Sequence, residues 1–265
     1  MVTLKNAGEV RAVLADARFA VPVAPPGGRP GTMAWLRASV SRWSEGEAHA
    51  RRRALAVAEL DRLDPAALRR TARERAAAMV CHQPEDVART VPVTVLAEAL
   101  DLRAGVRDVA DVAAAYFPGA ADDVVRRADA AVARLVAACT REDAGDAGGD
   151  AGAAERDGDG VEPGEAVAAR IAVLVQAYDS TAALILNALK EGGVGEALER
   201  DPPLKAMRRV AAETAELDGR SVEAGTEIVL DLVASGETAF GTGRRPCPGR
   251  EQAIAIAEGV LEALR

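Results

Sequence analysis

The sequence predicts a mainly α-helical fold with a small β element before a loop that carries a cysteine. The chain has 265 residues, of which 49% are hydrophobic but only 3% are aromatic, a composition that favours helices packed through small aliphatic side chains. Apolar residues recur at helical spacing along most of the sequence. Between Glu216 and Leu232 the pattern changes to alternating and β-branched residues with turn-forming glycines, which indicates two short strands.

Predicted helices follow one another through the first half of the chain. The first covers Glu9 to Phe19, and a loop rich in proline and glycine follows it over 22–30. The next helices are predicted at Met33 to Leu63 (one or two helices), Leu68 to Val80, Val91 to Leu102, Val109 to Tyr116 and Asp122 to Thr140. Asp64-Pro65 marks a helix start, whereas Pro84 is expected to end or bend the chain.

Residues 143–164 separate the two halves of the sequence. They consist almost entirely of Asp, Gly, Ala, Glu and Arg, so ordering them would bury too little apolar surface to offset the lost backbone entropy. The acidic run Asp157-Gly158-Asp159-Gly160 lacks the ligand spacing of a calcium-binding EF-hand loop. We therefore expect a flexible linker or surface loop between an N-terminal helical half at 1–142 and the remainder of the same domain at 165–265.

Net charge and cysteine usage limit the classes of partner. The net charge of −8 argues against a general nucleic-acid surface. Cys81, Cys139 and Cys247 are odd in number and show no paired framework, which is typical of a reducing compartment. The N-terminus leads straight into a helical pattern without an apolar signal region, and no uninterrupted apolar run is long enough to span a bilayer. We therefore expect a cytoplasmic protein that binds neither nucleic acid nor membranes.

The segment 240–249 places one cysteine in a glycine-hinged loop just before a helix; it reads Phe240-Gly241-Thr242-Gly243-Arg244-Arg245-Pro246-Cys247-Pro248-Gly249. The helix is predicted at Pro248 to Leu264, because proline suits a first helical turn. The positive end of a helix dipole and its unpaired amide hydrogens favour a thiolate over a thiol, and a thiolate is a known axial ligand of haem iron. On residue type alone, a lone cysteine is more often an inert core residue, but the flanking residues favour ligation.

This loop closely resembles the cysteine-ligand loop of the cytochromes P450, which has a phenylalanine and two glycines ahead of Cys-x-Gly. The resemblance implies that the Cys247 thiolate coordinates the iron of haem b (iron protoporphyrin IX), and that Phe240 and Gly249 belong to the cofactor-binding loop. Arg245 stands where the family usually has a histidine or arginine that binds a haem propionate; the alternative is a solvated surface arginine.

A polar interruption lies in the longest apolar helix candidate, Ala166 to Leu189; it reads Gln176-Ala177-Tyr178-Asp179-Ser180-Thr181. Carboxylates and hydroxyls are costly to bury in an apolar helix unless they are hydrogen-bonded or wet. The interruption resembles the oxygen-binding helix of P450s, in which a small residue and an acid precede one or two threonines. The resemblance implies that Asp179 and Ser180 form the acid–alcohol pair that relays protons, with Thr181 beside them. The alternative is a pair of helix-kink residues satisfied by the backbone or by water.

Further matches run in the same order as in the P450 family. His49 and Arg53 resemble its His-x-x-x-Arg pair, and residues one helical turn apart could reach one propionate; the alternative is a basic exposed helix face with an incidental histidine. Arg209 matches a propionate-binding arginine in the strand region, the alternative being a surface strand arginine. The segment Glu9 to Phe19 resembles the second helix of the family.

The sequence also departs from the family pattern. We expect the opening helix and sheet of a P450 to be missing, and residues 143–164 stand near the place of the substrate-roof helices. The family's Glu-x-x-Arg is replaced by Glu196-Ala197-Leu198-Glu199, which is followed by Arg200. The segment 234–238 joins the strands almost directly to Phe240, without the family's meander. We therefore expect a reduced P450-like fold.

The sequence alone leaves three possible functions. The first is a haem-thiolate oxidoreductase of the monooxygenase type, which oxidises a small molecule such as a specialised metabolite with electrons from a ferredoxin-type partner. The second is a non-catalytic, P450-derived auxiliary protein that supports a partner enzyme. The third is a haem sensor or another non-oxygenase haem protein. A homodimer that covers an apolar face left by the missing elements is a further hypothesis.

Overall fold

The computed structural model describes residues 1–143, 163–236 and 239–265, and it confirms a mainly α-helical fold with a small β element. Most of the linker predicted at 143–164 lies outside the described residues, and the domain division based on it stays a prediction. The described residues form two compact units. The first consists of Met1–Val23, Pro65–Ala88 and Ser180–Arg265, and the second consists of Ala24–Asp64 and Arg89–Asp179.

Ten α-helices lie in the described residues, and a 3-10 turn at Ser41–Trp43 precedes the third of them. Their bounds are α1 Ala7–Ala15, α2 Met33–Ala38, α3 Gly46–Asp61, α4 Pro65–Ala77, α5 Pro84–Ala99, α6 Val106–Ala114, α7 Asp122–Asp143, α8 Pro163–Glu191, α9 Val194–Arg200 and α10 Arg250–Leu264. The expectation for Pro84 is wrong in one respect, because this residue begins a helix instead of ending a segment. A first helical turn tolerates proline, since its missing N–H would have no intrahelical partner there.

The first unit contains a four-stranded sheet in the order β1-β6-β3-β2. The strands are β1 Val2–Leu4, β2 Phe19–Ala20, β3 Ala206–Ala211 and β6 Glu227–Asp231. The expectation that the N-terminus enters a helix directly and that no opening sheet remains is therefore wrong. β1 pairs parallel with β6, with Leu4 opposite Leu230, and a strand of three residues that depends on such a distant partner carries no local signal. One face of this sheet packs with α1, because Val10 and Val13 lie in the same buried cluster as Leu4.

The region predicted to hold two strands, Glu216 to Leu232, contains parts of three. β4 Ala215–Leu217 and β5 Arg220–Val222 form a separate two-stranded sheet. They are joined by Asp218 and Gly219, whose φ angles of 49° and 72° are those of a tight hairpin turn that suits Asp-Gly.

Helices α4 and α10 of the first unit approach each other closely at Gly259. A Cβ atom at this position would lie 2.2 Å from the backbone oxygen of Arg69 and 3.0 Å from the Cβ of Ala72. The Arg69 guanidinium also forms ion pairs with Glu258 and Glu262 of α10. Small residues at a helix crossing permit such a short backbone separation, so Gly259 fixes how tightly the two helices pack.

Replacing Gly259 with alanine is expected to lower the free energy of unfolding by about 1–3 kcal/mol, because the added methyl group overpacks the helix crossing. The measurement is urea unfolding followed by far-UV circular dichroism. Gly195→Ala is the matched control: Gly195 lies in α9 with nothing within 4 Å of the added atom, and we expect a gain of about 0.5 kcal/mol from helix propensity. Equal effects of the two substitutions would contradict the close approach.

The second unit holds both tryptophans of the chain. Trp35 packs against Gly164, where an added Cβ would lie 3.1 Å from the indole ring. Trp43 is buried and its ring centroid lies 5.9 Å from that of Tyr116 and 5.5 Å from that of Phe117. Burial raises the pKa of the Tyr116 phenol well above its ordinary value. Three of the few aromatic side chains therefore form one cluster in this unit.

Within the described residues, one helical segment is long and apolar enough to cross a membrane by length and composition alone. This segment is Gly164–Glu191, the greater part of α8, and half of its most apolar stretch is buried inside the protein. A core helix passes the same test, and the polar residues Gln176 and Asp179 interrupt the apolar run as the sequence indicates.

Candidate functional site

The cysteine loop is closed by a backbone hydrogen bond within the first unit. The backbone N–H of Cys247 donates to the carbonyl oxygen of Phe240 at 2.7 Å, and α10 begins three residues after the cysteine, at Arg250. The Cys247 side chain is exposed and forms no disulfide. Because this sulfur is exposed, Cys247 is not a core residue, and the inert-core interpretation is wrong.

Two glycines let the loop lie close to neighbouring elements of the first unit. Gly243 has a φ of +69°, and a Cβ there would lie 2.4 Å from the carbonyl oxygen of Leu14, at the end of α1. The same carbonyl accepts a hydrogen bond of 3.1 Å from the N–H of Arg244. Gly241 has a φ of +70°, and its Cβ would lie 2.9 Å from the side chain of Met207 in β3. The first helix and the third strand thus support the loop, and the roles of Leu14 and Met207 have no signal in the sequence.

The other loop residues predicted to bind cofactor surround the cysteine in sequence. Phe240 and Arg245 are half-buried, and the Arg250 guanidinium carbon lies 5.7 Å from the centre of the Phe240 ring. Gly249 is the residue immediately before α10. The individual roles of these residues in binding a cofactor stay predictions.

Arg209 lies in the middle of β3, opposite Ile228 of β6. It is only 7% exposed, so the alternative interpretation as a surface strand arginine is wrong. Its guanidinium donates a hydrogen bond of 2.8 Å to the carbonyl oxygen of Arg208. A cation buried to this extent is stabilised by hydrogen-bond acceptors and by negative charge, which is the chemistry that a propionate would offer.

The polar residues of α8 do not share one side of the helix. The helix is continuous through residues 176–181, with Asp179 and Ser180 exposed and Thr181 buried at 3% exposure. Because successive residues turn by about 100°, Asp179 and Ser180 are adjacent on the exposed side, and Thr181 lies away from Asp179. The acid and the hydroxyl predicted to act as a pair are therefore both accessible, while Thr181 belongs to the core.

His49 and Arg53 lie in α3 of the second unit, and both are half-buried. They are four residues apart and thus on one side of the helix. The neighbouring Arg51 and Arg52 are on another side, where both bind the carboxylate of Glu165 at the start of α8. Sequence reasoning did not identify Glu165, because a lone glutamate in the first turn of a helix resembles an ordinary N-terminal charge.

The residues in place of the family's Glu-x-x-Arg are not part of a buried ion pair. Glu196, Glu199 and Arg200 of α9 are all exposed, and the helix buries Val194 and Ala197 instead. The described residues contain no group of three or more His, Cys, Asp or Glu side chains that could hold a metal ion by themselves. Haem iron needs only one protein ligand, because the porphyrin supplies four, so an exposed cysteine in a closed loop, with Arg245 two residues before it, fits this group.

Comparison with known proteins identifies the fold. The chain is similar to the structure of P450BioI in complex with an acyl carrier protein ligated to hexadec-9Z-enoic acid, with a TM-score of 0.75 and 16% identity over 99% of this chain and 84% of that one. It is similar to a thermophilic cytochrome P450 from Sulfolobus tokodaii, with a TM-score of 0.74 and 18% identity over 98% and 85% of the two chains. A mutant of P450 EryK in complex with erythromycin B gives a TM-score of 0.73 and 18% identity over 98% and 81%.

These likenesses extend over nearly the whole chain and show that it has a cytochrome P450 fold. No family model matches the sequence, and no curated protein sequence matches it either. The fold is therefore established by structure, and the residue roles rest on the loop and helix patterns described above.

Proposed function

We propose that the protein is a haem-thiolate oxidoreductase of the P450 type, with the Cys247 thiolate as the axial ligand of haem b. The observation that carries the proposal is the exposed cysteine three residues before α10, in a loop closed by the 2.7 Å hydrogen bond between its N–H and the Phe240 carbonyl. Amide hydrogens at a helix start favour a negatively charged sulfur. When bound through such a sulfur, haem supplies the electron density for O–O bond cleavage.

The basic side chains are assigned to the haem propionates. Arg209 and Arg245 accompany Cys247 in the first unit, and His49 and Arg53 are assigned to the same role by their spacing in α3. An arginine can bind a carboxylate with two parallel hydrogen bonds, which fixes orientation as well as adding binding energy. The Phe240 side chain and Gly249 complete the cofactor-binding loop.

Asp179 and Ser180 are assigned to proton transfer. The Ser180 hydroxyl can donate a hydrogen bond and accept another, and the adjacent Asp179 carboxylate can accept a proton from solvent and pass it on. Both side chains are exposed, so water can reach them. Thr181 completes the proposed catalytic group, and its hydroxyl stands next to Ser180 in the chain on the buried side of the helix.

The partners follow from the class of enzyme. The substrate is a small molecule, and neighbours in this fold include one structure with an acyl carrier protein and one with erythromycin B, which supports substrates of the specialised-metabolite type. A ferredoxin-type protein would supply electrons, and the enzyme would work in the cytoplasm. A homodimer remains part of this proposal, and the mass in solution decides it.

A second function is favoured by one observation. The exposed Glu196, Glu199 and Arg200 do not form the buried pair that normally supports the core behind the cysteine. A non-catalytic auxiliary protein would have no need of that pair. It would also have no need of an exposed cysteine in a closed loop, so the oxidoreductase is the better supported of the two. A haem sensor shares the cofactor and differs only in lacking turnover.

The absorption spectrum of the purified protein, as isolated and after reduction under carbon monoxide, tests the proposal. We expect the strongly red-shifted Soret band of a thiolate-ligated haem–carbon monoxide complex. A colourless protein that cannot be reconstituted with haem would contradict the proposal and favour the auxiliary function. A haem spectrum without the red shift would exclude the thiolate, and ligand-dependent spectra without substrate oxidation would favour the sensor.

A further inference from the structure

Glu165, in the first turn of α8, is a buried carboxylate held by two arginines of α3. It is 2% exposed. Arg51 Nε donates to its Oε2 at 2.8 Å, and Arg52 Nε donates to its Oε1 at 2.7 Å. Arg52 also donates through Nη1 to the buried hydroxyl of Ser44, which in turn donates to the carbonyl oxygen of Val40. These hydrogen bonds connect α8 to α3, and α3 to the turn that precedes it.

A second ion pair of reversed polarity joins the same two helices. Arg170 of α8 lies with its Nε 3.7 Å from Oε2 of Glu59 in α3, and its Nη2 donates to the carbonyl oxygen of Leu100 at 2.8 Å. In the first contact α3 supplies the positive charges and α8 the negative charge. In the second contact, about two turns further along α3, α3 supplies the negative charge and α8 the positive charge. All of these residues belong to the second unit, so α3 is held to α8 at two points.

The two contacts determine which side of α3 faces α8. At about 100° per residue, Arg51, Arg52 and Glu59 lie on one side of the helix. By the same geometry, His49 and Arg53 lie about 120° around the helix axis from that side. A rotation of α3 about its axis would therefore move the His49 and Arg53 side chains and break both ion pairs.

Charge keeps the Glu165 contact intact at neutral pH. Burial by itself raises the pKa of the Glu165 carboxyl, but the hydrogen bonds and positive charges of Arg51 and Arg52 outweigh burial and hold the pKa below its ordinary value. The carboxylate is therefore ionised, and each of its oxygens accepts hydrogen bonds from guanidinium groups.

We propose that Glu165 is a positioning residue for haem binding: by engaging Arg51 and Arg52 it fixes the rotation of α3 and so the direction in which His49 and Arg53 approach a propionate. This inference rests on the proposed haem function. Within the triplet Arg51-Arg52-Arg53, the first two arginines bind the protein's own carboxylate, and the third is the one assigned to the cofactor.

The first test does not require haem and uses the two histidines of the chain, His49 and His82. Their imidazole proton resonances are measured by NMR in the protein and in the variants Glu165→Gln and Arg52→Gln. Glu165→Gln removes the negative charge that both arginines bind, and Arg52→Gln removes one of the two arginines. Each variant therefore weakens the same contact, so we expect both to move the His49 resonance in the same direction and to leave His82 unchanged. Asp61→Asn, at the exposed end of α3, is the control and should move neither.

Opposite displacements in the two variants would overturn the proposal. Glu165→Gln removes a negative charge and Arg52→Gln removes a positive charge, so a purely electrostatic influence on His49 would change sign between them, whereas a rotation of α3 would not. An unchanged His49 resonance would also overturn it. If Glu165→Gln does not fold, Arg52→Lys takes its place. A lysine keeps the positive charge but cannot donate to Glu165 and Ser44 from two fixed nitrogens as Arg52 does, so we expect the His49 resonance to move in the same direction by a smaller amount.

The second test measures the rate at which haem leaves the protein for apomyoglobin. Loss of a side chain that orients a ligand weakens binding by about tenfold or more, so Glu165→Gln should release haem about tenfold faster than the unmodified protein. In a His49→Gln/Arg53→Gln background the same substitution should give no further increase. An equal acceleration in both backgrounds would mean that Glu165 acts through general stability, and would overturn the proposal. A protein that binds no haem would refute the proposed function, and the histidine resonances would still decide whether Glu165 orients His49.

Discussion

Replacing Cys247 with serine is expected to abolish the red-shifted Soret band of the reduced, carbon monoxide-bound protein completely. A serine hydroxyl is not ionised at neutral pH and offers no thiolate to the iron. The backbone N–H of residue 247 still donates to the Phe240 carbonyl in this variant, so the loop should keep its conformation. The measurement is the difference spectrum, with the far-UV circular dichroism spectrum as a check of folding.

Cys81→Ser is the matched control, because Cys81 is also exposed but lies outside the loop. This variant should keep the full red-shifted band. The assignment of Cys247 would be refuted by an intact band in Cys247→Ser, or by a band that disappears in Cys81→Ser instead. Loss of the band in both variants would indicate a folding defect, which the circular dichroism spectrum would reveal.

Replacing Gly243 with alanine is expected to lower the free energy of unfolding more than the same replacement at Gly259 does. A residue with a side chain at a φ of +69° costs about 1–2 kcal/mol. The added carbon would also lie 2.4 Å from the Leu14 carbonyl oxygen, and overpacking of this kind costs a further 1–3 kcal/mol, roughly. We expect a total loss of about 2–5 kcal/mol, measured by urea unfolding.

Gly219→Ala separates the two contributions. Gly219 has a φ of +72° but nothing within 4 Å of an added Cβ, so its variant should lose only the conformational part, about 1–2 kcal/mol. The difference between the variants then measures the contact between the cysteine loop and α1. Equal losses for the two substitutions would show that the loop does not depend on Leu14.

Local patterns in the sequence predicted most of the helices but few of the strands. Helices such as α7 and α8 carry their apolar spacing within one continuous segment, so periodicity alone locates them. β1 is three residues long and pairs with Ile228 to Leu230, more than two hundred residues away. Pairing over such a distance leaves no local pattern in the sequence. For this reason the sequence did not predict β1.

The same reasoning explains which parts of the candidate site could be predicted. The cysteine loop is a contiguous stretch whose glycines and proline each have a local conformational reason, so it is recognisable from sequence. Glu165 and Arg51 are 114 residues apart, and neither residue differs from an ordinary charged residue on a helix. Their contact depends on how α3 and α8 pack, which only the three-dimensional structure provides.

The placement of Trp35 and Trp43 in the second unit has a practical consequence for following the unfolding of this protein. The chain has no other tryptophan, so emission excited at long ultraviolet wavelengths reports the surroundings of that unit alone. Far-UV circular dichroism averages over the helices of both units. Transitions that coincide by the two signals would indicate one cooperative unfolding event. A circular dichroism transition that precedes the tryptophan transition would indicate that the unit carrying Cys247 can melt while the tryptophans remain in their native environment.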